Sequence, residues 1–284
     1  NDGNGWYYMD GDGFAKKGWF TESGKRYYLD DGTGKMQYGW KDQDGKWYYL
    51  GSSGAASTGW VNDNGAWYFM DHDTAVMRTG WLDEGGKRFF LEDSGRMATG
   101  WTNQDNKWYY LDGSGALATG WINADGARYY SGSDGVMHTG WLQDGGHWYF
   151  MRGNGAMATG WRDMDGSWYF FNQDGQMVTG WQSIDGIWYY FDGNGHMATG
   201  MIDVGGVKYY LDDQGRMAAN TQVTVDGVNY TADGSGALSL VEQPPAEGGE
   251  ASAESLDGQN SPNSGQSGNN DVPVITGVNG GPGV

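Results

Sequence analysis

The sequence predicts an all-β solenoid, a superhelix of stacked β-hairpins in about 11 repeats of 20–21 residues. Three observations predict it. The dipeptide Gly-Trp recurs with its Trp at 19, 40, 60, 81, 101, 121, 141, 161 and 181, at intervals of 20 or 21 residues. A hairpin turn signal follows seven of these nine at a fixed distance. The 53 glycines, spread at the same period, would interrupt any helical run. A tenth unit starts at Gly200-Met201, a degenerate eleventh near Asn220-Thr221, and the chain opens mid-unit at Trp6-Tyr7-Tyr8.

Residues 160–179 show the elements of one unit in order. Trp161 lies on the first arm. Asp165-Gly166 then supplies the turn, because a type I′ hairpin needs positive φ at both central residues. The same slot holds Asp44-Gly45, Asn64-Gly65, Asp125-Gly126, Asp185-Gly186 and Asp226-Gly227, with Gly85-Gly86, Gly145-Gly146 and Gly205-Gly206 equally suited. The second arm, 168–171, is aromatic and suits a pleated strand. A second turn at Asp174-Gly175 leads through Met177 to the next Gly-Trp. One such hairpin is not stable in water, whereas stacked copies share a continuous core. The eleventh unit has lost its Trp at Thr221 and its second Trp at Asn229, and reads as a cap.

The repeat array spans 1–240. All five prolines fall beyond it, and 241–284 is rich in Pro, Gly, Ser and Glu, with no Lys, Arg or aromatic residue. Such a segment cannot bury enough apolar surface to offset its ordering entropy, so a disordered linker or tail is expected. Net charge is −19, which argues against nucleic acid as a partner and is compatible with a cationic ligand. The absence of cysteine excludes disulfides and cysteine-ligated metal. No apolar run reaches the length of a membrane span. Asn1 at the start reads as the mark of a fragment or a processed product.

Sixteen Trp, nineteen Tyr and nine Phe exceed what so small a unit needs for its core. Six repeats pair the Gly-Trp indole with a second Trp across the hairpin: Trp40 with Trp47, Trp60 with Trp67, Trp101 with Trp108, Trp141 with Trp148, Trp161 with Trp168, and Trp181 with Trp188. Nine or ten positions after the second Trp stands a flexible apolar residue, Met77, Leu117, Met157, Met177 or Met197, with Ala56 the exception. Two indoles, closed by an aromatic from the next repeat and floored by Met, form an electron-rich box. A quaternary ammonium donates no hydrogen bond, so it is recognised by cation–π attraction and shape. A core alone could use Leu or Val, yet these repeats keep indole.

The string Thr-Gly-Trp, hairpin turn, Trp-Tyr-Tyr, turn, Gly-x-Met-x-Thr-Gly-Trp resembles the choline-binding, or cell-wall-binding, repeat of Gram-positive surface proteins and wall hydrolases. The likeness covers residues 3 to 240. It implies a left-handed superhelix of hairpins with choline sites between consecutive hairpins, a secreted protein at the cell wall or cell surface, and choline-decorated (lipo)teichoic acid or another wall glycan as partner. The positions that match its ligand residues are the six Trp pairs and the Met or Leu that follows. In the other units the second Trp is replaced by Arg26, Arg88, Arg128, Lys208 and Asn229, and a cation there would repel a choline head group. Related repeats of clostridial toxins and streptococcal glucan-binding enzymes bind sugars instead and commonly lack the second Trp.

No nucleophile with a base, phosphate loop or zinc spacing is present, so the reading is a non-catalytic module with no cofactor. The four His fall singly in different units. Asp42 with Asp44, Asp71 with Asp73 and Asp163 with Asp165 read as turn formers, since none belongs to a glutamate-terminated calcium loop. Choline attachment stands beside two alternatives: an oligosaccharide- or glucan-binding module of a surface enzyme, adhesin or toxin, and a passive stalk.

Overall fold

The computed structural model describes residue 3 and residues 5–241. Of the expected linker or tail at 241–284, all but Val241 lies outside the described residues. The chain divides into two compact units. The first runs to Leu142 and includes Phe150–Met157, and the second holds Gln143–Tyr149 and the residues from Ala158 on.

The hairpins form where the dipeptides place them. Asp44 and Gly45 stand at φ 57° and 73°, and Asp165 and Gly166 at 56° and 81°. This is the type I′ conformation, whose twist matches that of the flanking strands. Asp105 and Asn106 reach it without glycine, at 52° and 61°. Short polar side chains tolerate this region because they can bond locally. Five-residue arms flank each turn, for example Gly160–Met164 paired antiparallel with Ser167–Phe171. The described residues make ten two-stranded sheets and one three-stranded sheet, and contain no α-helix.

The second turn works differently from the Asp174-Gly175 signal. Its organiser is the residue two places earlier: Asn172 Oδ1 accepts from the amides of Asp174 and Gln176. Asp112 Oδ1 likewise accepts from the Ser114 amide and hydroxyl and from the Ala116 amide. The acidic pairs serve the turns too. Asp42 Oδ1 accepts from the Gly45 amide, Asp163 Oδ1 from that of Gly166, and Asp71 Oδ1 from those of Asp73 and Thr74.

Alternation along the strands gives each hairpin two faces. Trp40 lies opposite Tyr49 and Asp42 opposite Trp47, so the two indoles stand diagonally on one face. Tyr48 and Leu50 take the other. Leu50 and its counterparts Met70, Leu91, Leu111 and Met151 in the first unit, and Phe171, Phe191 and Leu211 in the second, are at most 1% exposed and form the core column of each unit. Leu50 lies opposite Gly39, whose φ of 73° explains why glycine precedes the repeat Trp. Within each unit the hairpins stack in chain order, the indole face of one against the tyrosine face of the next. The last hairpin, Thr221–Val225 with Val228–Ala232, gains a third strand, Leu238–Leu240, which covers an otherwise open edge.

Two outcomes test this core. Ser131 occupies the column position of the Trp121 repeat, fully buried, and its hydroxyl has no hydrogen-bond partner. Ser131→Ala should therefore raise stability by about 1 kcal/mol, seen as a higher urea midpoint at unchanged slope. A lower midpoint would show that the hydroxyl is bonded. Hydrogen bonds from the Thr74 amide and hydroxyl, then from Arg78, bring the Asp71 carboxyl from 3.8 down to about 2. A depressed carboxylate stabilises in full above its unfolded pKa and loses that contribution as pH falls through its folded pKa. Wild type and Asp71→Asn should differ most in melting temperature at neutral pH and converge by about pH 2.

Candidate functional site

Between the Gly59–Asp63/Ala66–Met70 hairpin and the next, aromatic side chains enclose a cavity of about 300 Å³. Trp60 and Trp67 meet edge to face, with centroids 6.5 Å apart at 84°. Phe89, from the second arm of the next hairpin, stands 4.9 Å from Trp60. Met97 completes the apolar lining, and Lys87 and Ser114 supply the polar atoms.

Other repeats build the same arrangement. Trp40 and Trp47 lie 6.2 Å apart at 76°, with Tyr68 4.6 Å from Trp40. Trp161 and Trp168 lie 6.3 Å apart with Tyr189 at 4.8 Å, and Trp181 and Trp188 lie 6.5 Å apart with Tyr209 at 4.7 Å. Trp101 and Trp108 line a cavity of about 300 Å³ with Tyr129, Met137 and Asp125. Trp141 belongs to the first compact unit and packs on Phe150, and Trp148 belongs to the second. The second indoles Trp47, Trp67, Trp108, Trp168 and Trp188 are 42–46% exposed. A side chain repeatedly left half in water is not there to fill a core.

The floor residues are displaced by one repeat from the sequence pairing. Met77 does not line the Trp60–Trp67 box; its amide donates to the Trp47 carbonyl. Met177 and Met197 likewise bond Trp148 and Trp168, while Leu117 and Met157 bond Arg88 and Arg128. The cause is the alternation of faces. Met77 bridges Met70, on the face turned back toward the preceding hairpin. It settles over Gly95, at φ 80°, where a Cβ would collide with the Met77 sulfur. Sequence reasoning therefore missed Met97 and Met137 as floors, and Met217, whose amide donates to the Trp188 carbonyl.

Where Arg replaces the second Trp, the guanidinium lies over the first. Arg128 stands 4.3 Å from the Trp121 ring, Arg26 4.5 Å from that of Trp19, and Arg88 4.9 Å from that of Trp81. These units carry their own cation against the indole that the other units leave open.

A choline-binding repeat model matches residues 78–119, 118–159 and 158–200, and a cell wall binding repeat model matches 17–36, 39–56, 58–73 and 202–217. The structure is similar to that of CbpJ from Streptococcus pneumoniae, at 31% identity and TM-score 0.62 over 82% of this chain and 96% of that one. It is also similar to choline binding protein F from Streptococcus pneumoniae, solved in the presence of a peptidoglycan analogue, at 33% identity and TM-score 0.59 over 82% and 95%. This chain belongs to the choline-binding repeat family. Similarity to the modular autolysin LytC of Streptococcus pneumoniae, at 23% identity and TM-score 0.54 over 79% of this chain and 53% of that one, concerns the fold alone. No curated protein sequence matches the chain.

One further aromatic box lies at the start of the array. Trp6, Tyr8, Phe20, Tyr27 and Met36 line a cavity of about 200 Å³ together with Glu22. The Met36 amide donates to the Trp6 carbonyl, as the floor Met does in later repeats. Trp6-Tyr7-Tyr8 was the available signal, a second arm without its first Trp. The Tyr8 hydroxyl donates to Glu22 at 3.1 Å, and that bond raises its pKa.

Proposed function

We propose that the aromatic boxes bind choline groups of (lipo)teichoic acid and so attach the chain, and whatever it is fused to, to a bacterial cell wall. The trimethylammonium head carries a diffuse charge and no N–H. It gains most from ring faces and a polarisable floor, which two indoles, a Tyr or Phe, and a Met provide. The observation that carries this reading is the alternation of occupants. In the Arg26, Arg88 and Arg128 units a guanidinium lies 4.3–4.9 Å over the repeat Trp, so the position is one where a cation is held. In the Trp-paired units the second indole takes the place of that cation, and the box is left for one from outside. The chain works by multivalent attachment to the cell surface, and no chemical step is assigned to it. Several weak sites on one chain give avidity toward a polymer with repeated choline groups.

Choline titration followed by tryptophan fluorescence tests the reading. Trp168→Ala removes one indole from the Trp161 box and should cost about 1–2 kcal/mol of binding there, leaving one fewer choline per chain at millimolar ligand. An unchanged stoichiometry would sink the assignment. Arg88→Trp should have the opposite effect. Trp81 already stands 4.8 Å from Tyr109, and the Leu117 amide already bonds the Arg88 carbonyl, so the new indole completes a box. One additional choline per chain is expected.

A further inference from the structure

A second cavity lies at the same pair of hairpins as the Trp161–Trp168 box and shares no residue with Trp161, Trp168 or Tyr189. Its volume is about 450 Å³, against 200–300 Å³ for the aromatic boxes. It is lined by Thr159, Phe170, Asn172, Gln173, Gln182 and Ser183 over an apolar floor, and no charged side chain lines it.

The residue at the Gln182 position explains why the space is open. Gln182 directly follows the repeat Trp and lies opposite Tyr189. Its counterparts Val61, Leu82, Ile122 and Leu142 are buried, at 5–9% exposure, and serve as apolar plugs. Lys41 fills the position another way, its ammonium 4.1 Å from the ring of Tyr28, which is the Phe170 counterpart of the preceding hairpin. Gln182 does neither. Its Nε2 turns to the Thr179 carbonyl at 3.1 Å, and the cavity stays open beside Phe170. Amides also replace carboxylates here: Asn172-Gln173 stands where other repeats carry Asp30-Asp31, Glu92-Asp93 and Asp212-Asp213.

The chemistry selects among ligands. A choline head needs several ring faces or a carboxylate, and this cavity offers one accessible ring, since Phe171 is fully buried. An anion needs a cation or converging N–H groups. A neutral sugar needs amides and hydroxyls for its hydroxyl groups and an apolar platform for its C–H face, and the volume lies within the usual small-ligand range of about 300–1,000 Å³. We infer that this groove is a binding site for a neutral glycan, separate from the choline boxes and independent of them. Free hydroxyls and apolar C–H faces are common to the amino-sugar chain of wall peptidoglycan and to a hexose glucan, and the probes separate the two.

The full chain should be titrated with tetra-N-acetylchitotetraose and with isomaltotetraose by calorimetry and NMR, with and without saturating choline. One saccharide should bind per chain, and choline should not displace it; the probe that binds identifies the source. Gln182→Leu restores the plug found at Leu82 and Leu142 and should weaken the saccharide at least about tenfold, with the choline count unchanged. Gln173→Ala, at an exposed position, should weaken it as well and guards against a packing effect of the first variant. The proposal is overturned if neither saccharide binds, if choline displaces the saccharide, or if both variants bind as wild type does. Loss of choline binding with the saccharide site intact would count against the function proposed above and leave this site standing.

Discussion

Within each compact unit the stack depends on one contact: the packing of a repeat Trp against an aromatic of the next hairpin. Trp40 on Tyr68, Trp60 on Phe89, Trp101 on Tyr129 and Trp161 on Tyr189 keep centroids within 4.6–4.9 Å. Such pairs contribute about 0.5–1.5 kcal/mol each beyond area burial. A lone hairpin buries too little to persist, so this contact turns unstable units into a continuous core. The Gly before each Trp belongs to the same constraint, because its positive φ aims the indole while leaving room for the column residue opposite. The structural contact and one wall of the candidate site are therefore the same indole.

The position seven residues after the repeat Trp decides what each interface does. With Trp it makes a partly exposed second wall, and with Arg it makes an internal cation–π pair. The fold tolerates either because this side chain lies at the edge of the interface and contributes little to the buried column. Function can thus vary from repeat to repeat while the column and the turns stay constant. The residue directly after the repeat Trp varies in the same way, as apolar plug, lysine lid or amide.

Much of this was legible in the sequence because it depends on local periodicity. The Asp-Gly and Gly-Gly dipeptides placed the hairpins, since left-handed φ at two consecutive residues is a local demand. Asp105-Asn106 was harder to read because it meets that demand without glycine. The Trp pairs were readable because two residues flanking a tight turn must lie near each other. The methionine floors were not, because Met97 meets Trp67 only through stacking, at a separation that no single hairpin spans. The Trp6 box escaped for a similar reason, its walls coming from two units of which the first is incomplete.

By itself the sequence determined the all-β class, the hairpin at every 20 or 21 residues, the face each aromatic takes and the repeats that carry a second indole. Those follow from turn conformation and the two-residue period of a strand, which act within a few residues. The tertiary structure alone decided which repeat floors which box, that Arg26, Arg88 and Arg128 lie over their own tryptophans, and that a cavity opens beside Gln182. The floors and the cavity depend on how one hairpin's face meets the next, which local pattern does not show, and the Arg–Trp contacts depend on the side-chain conformation taken within one hairpin.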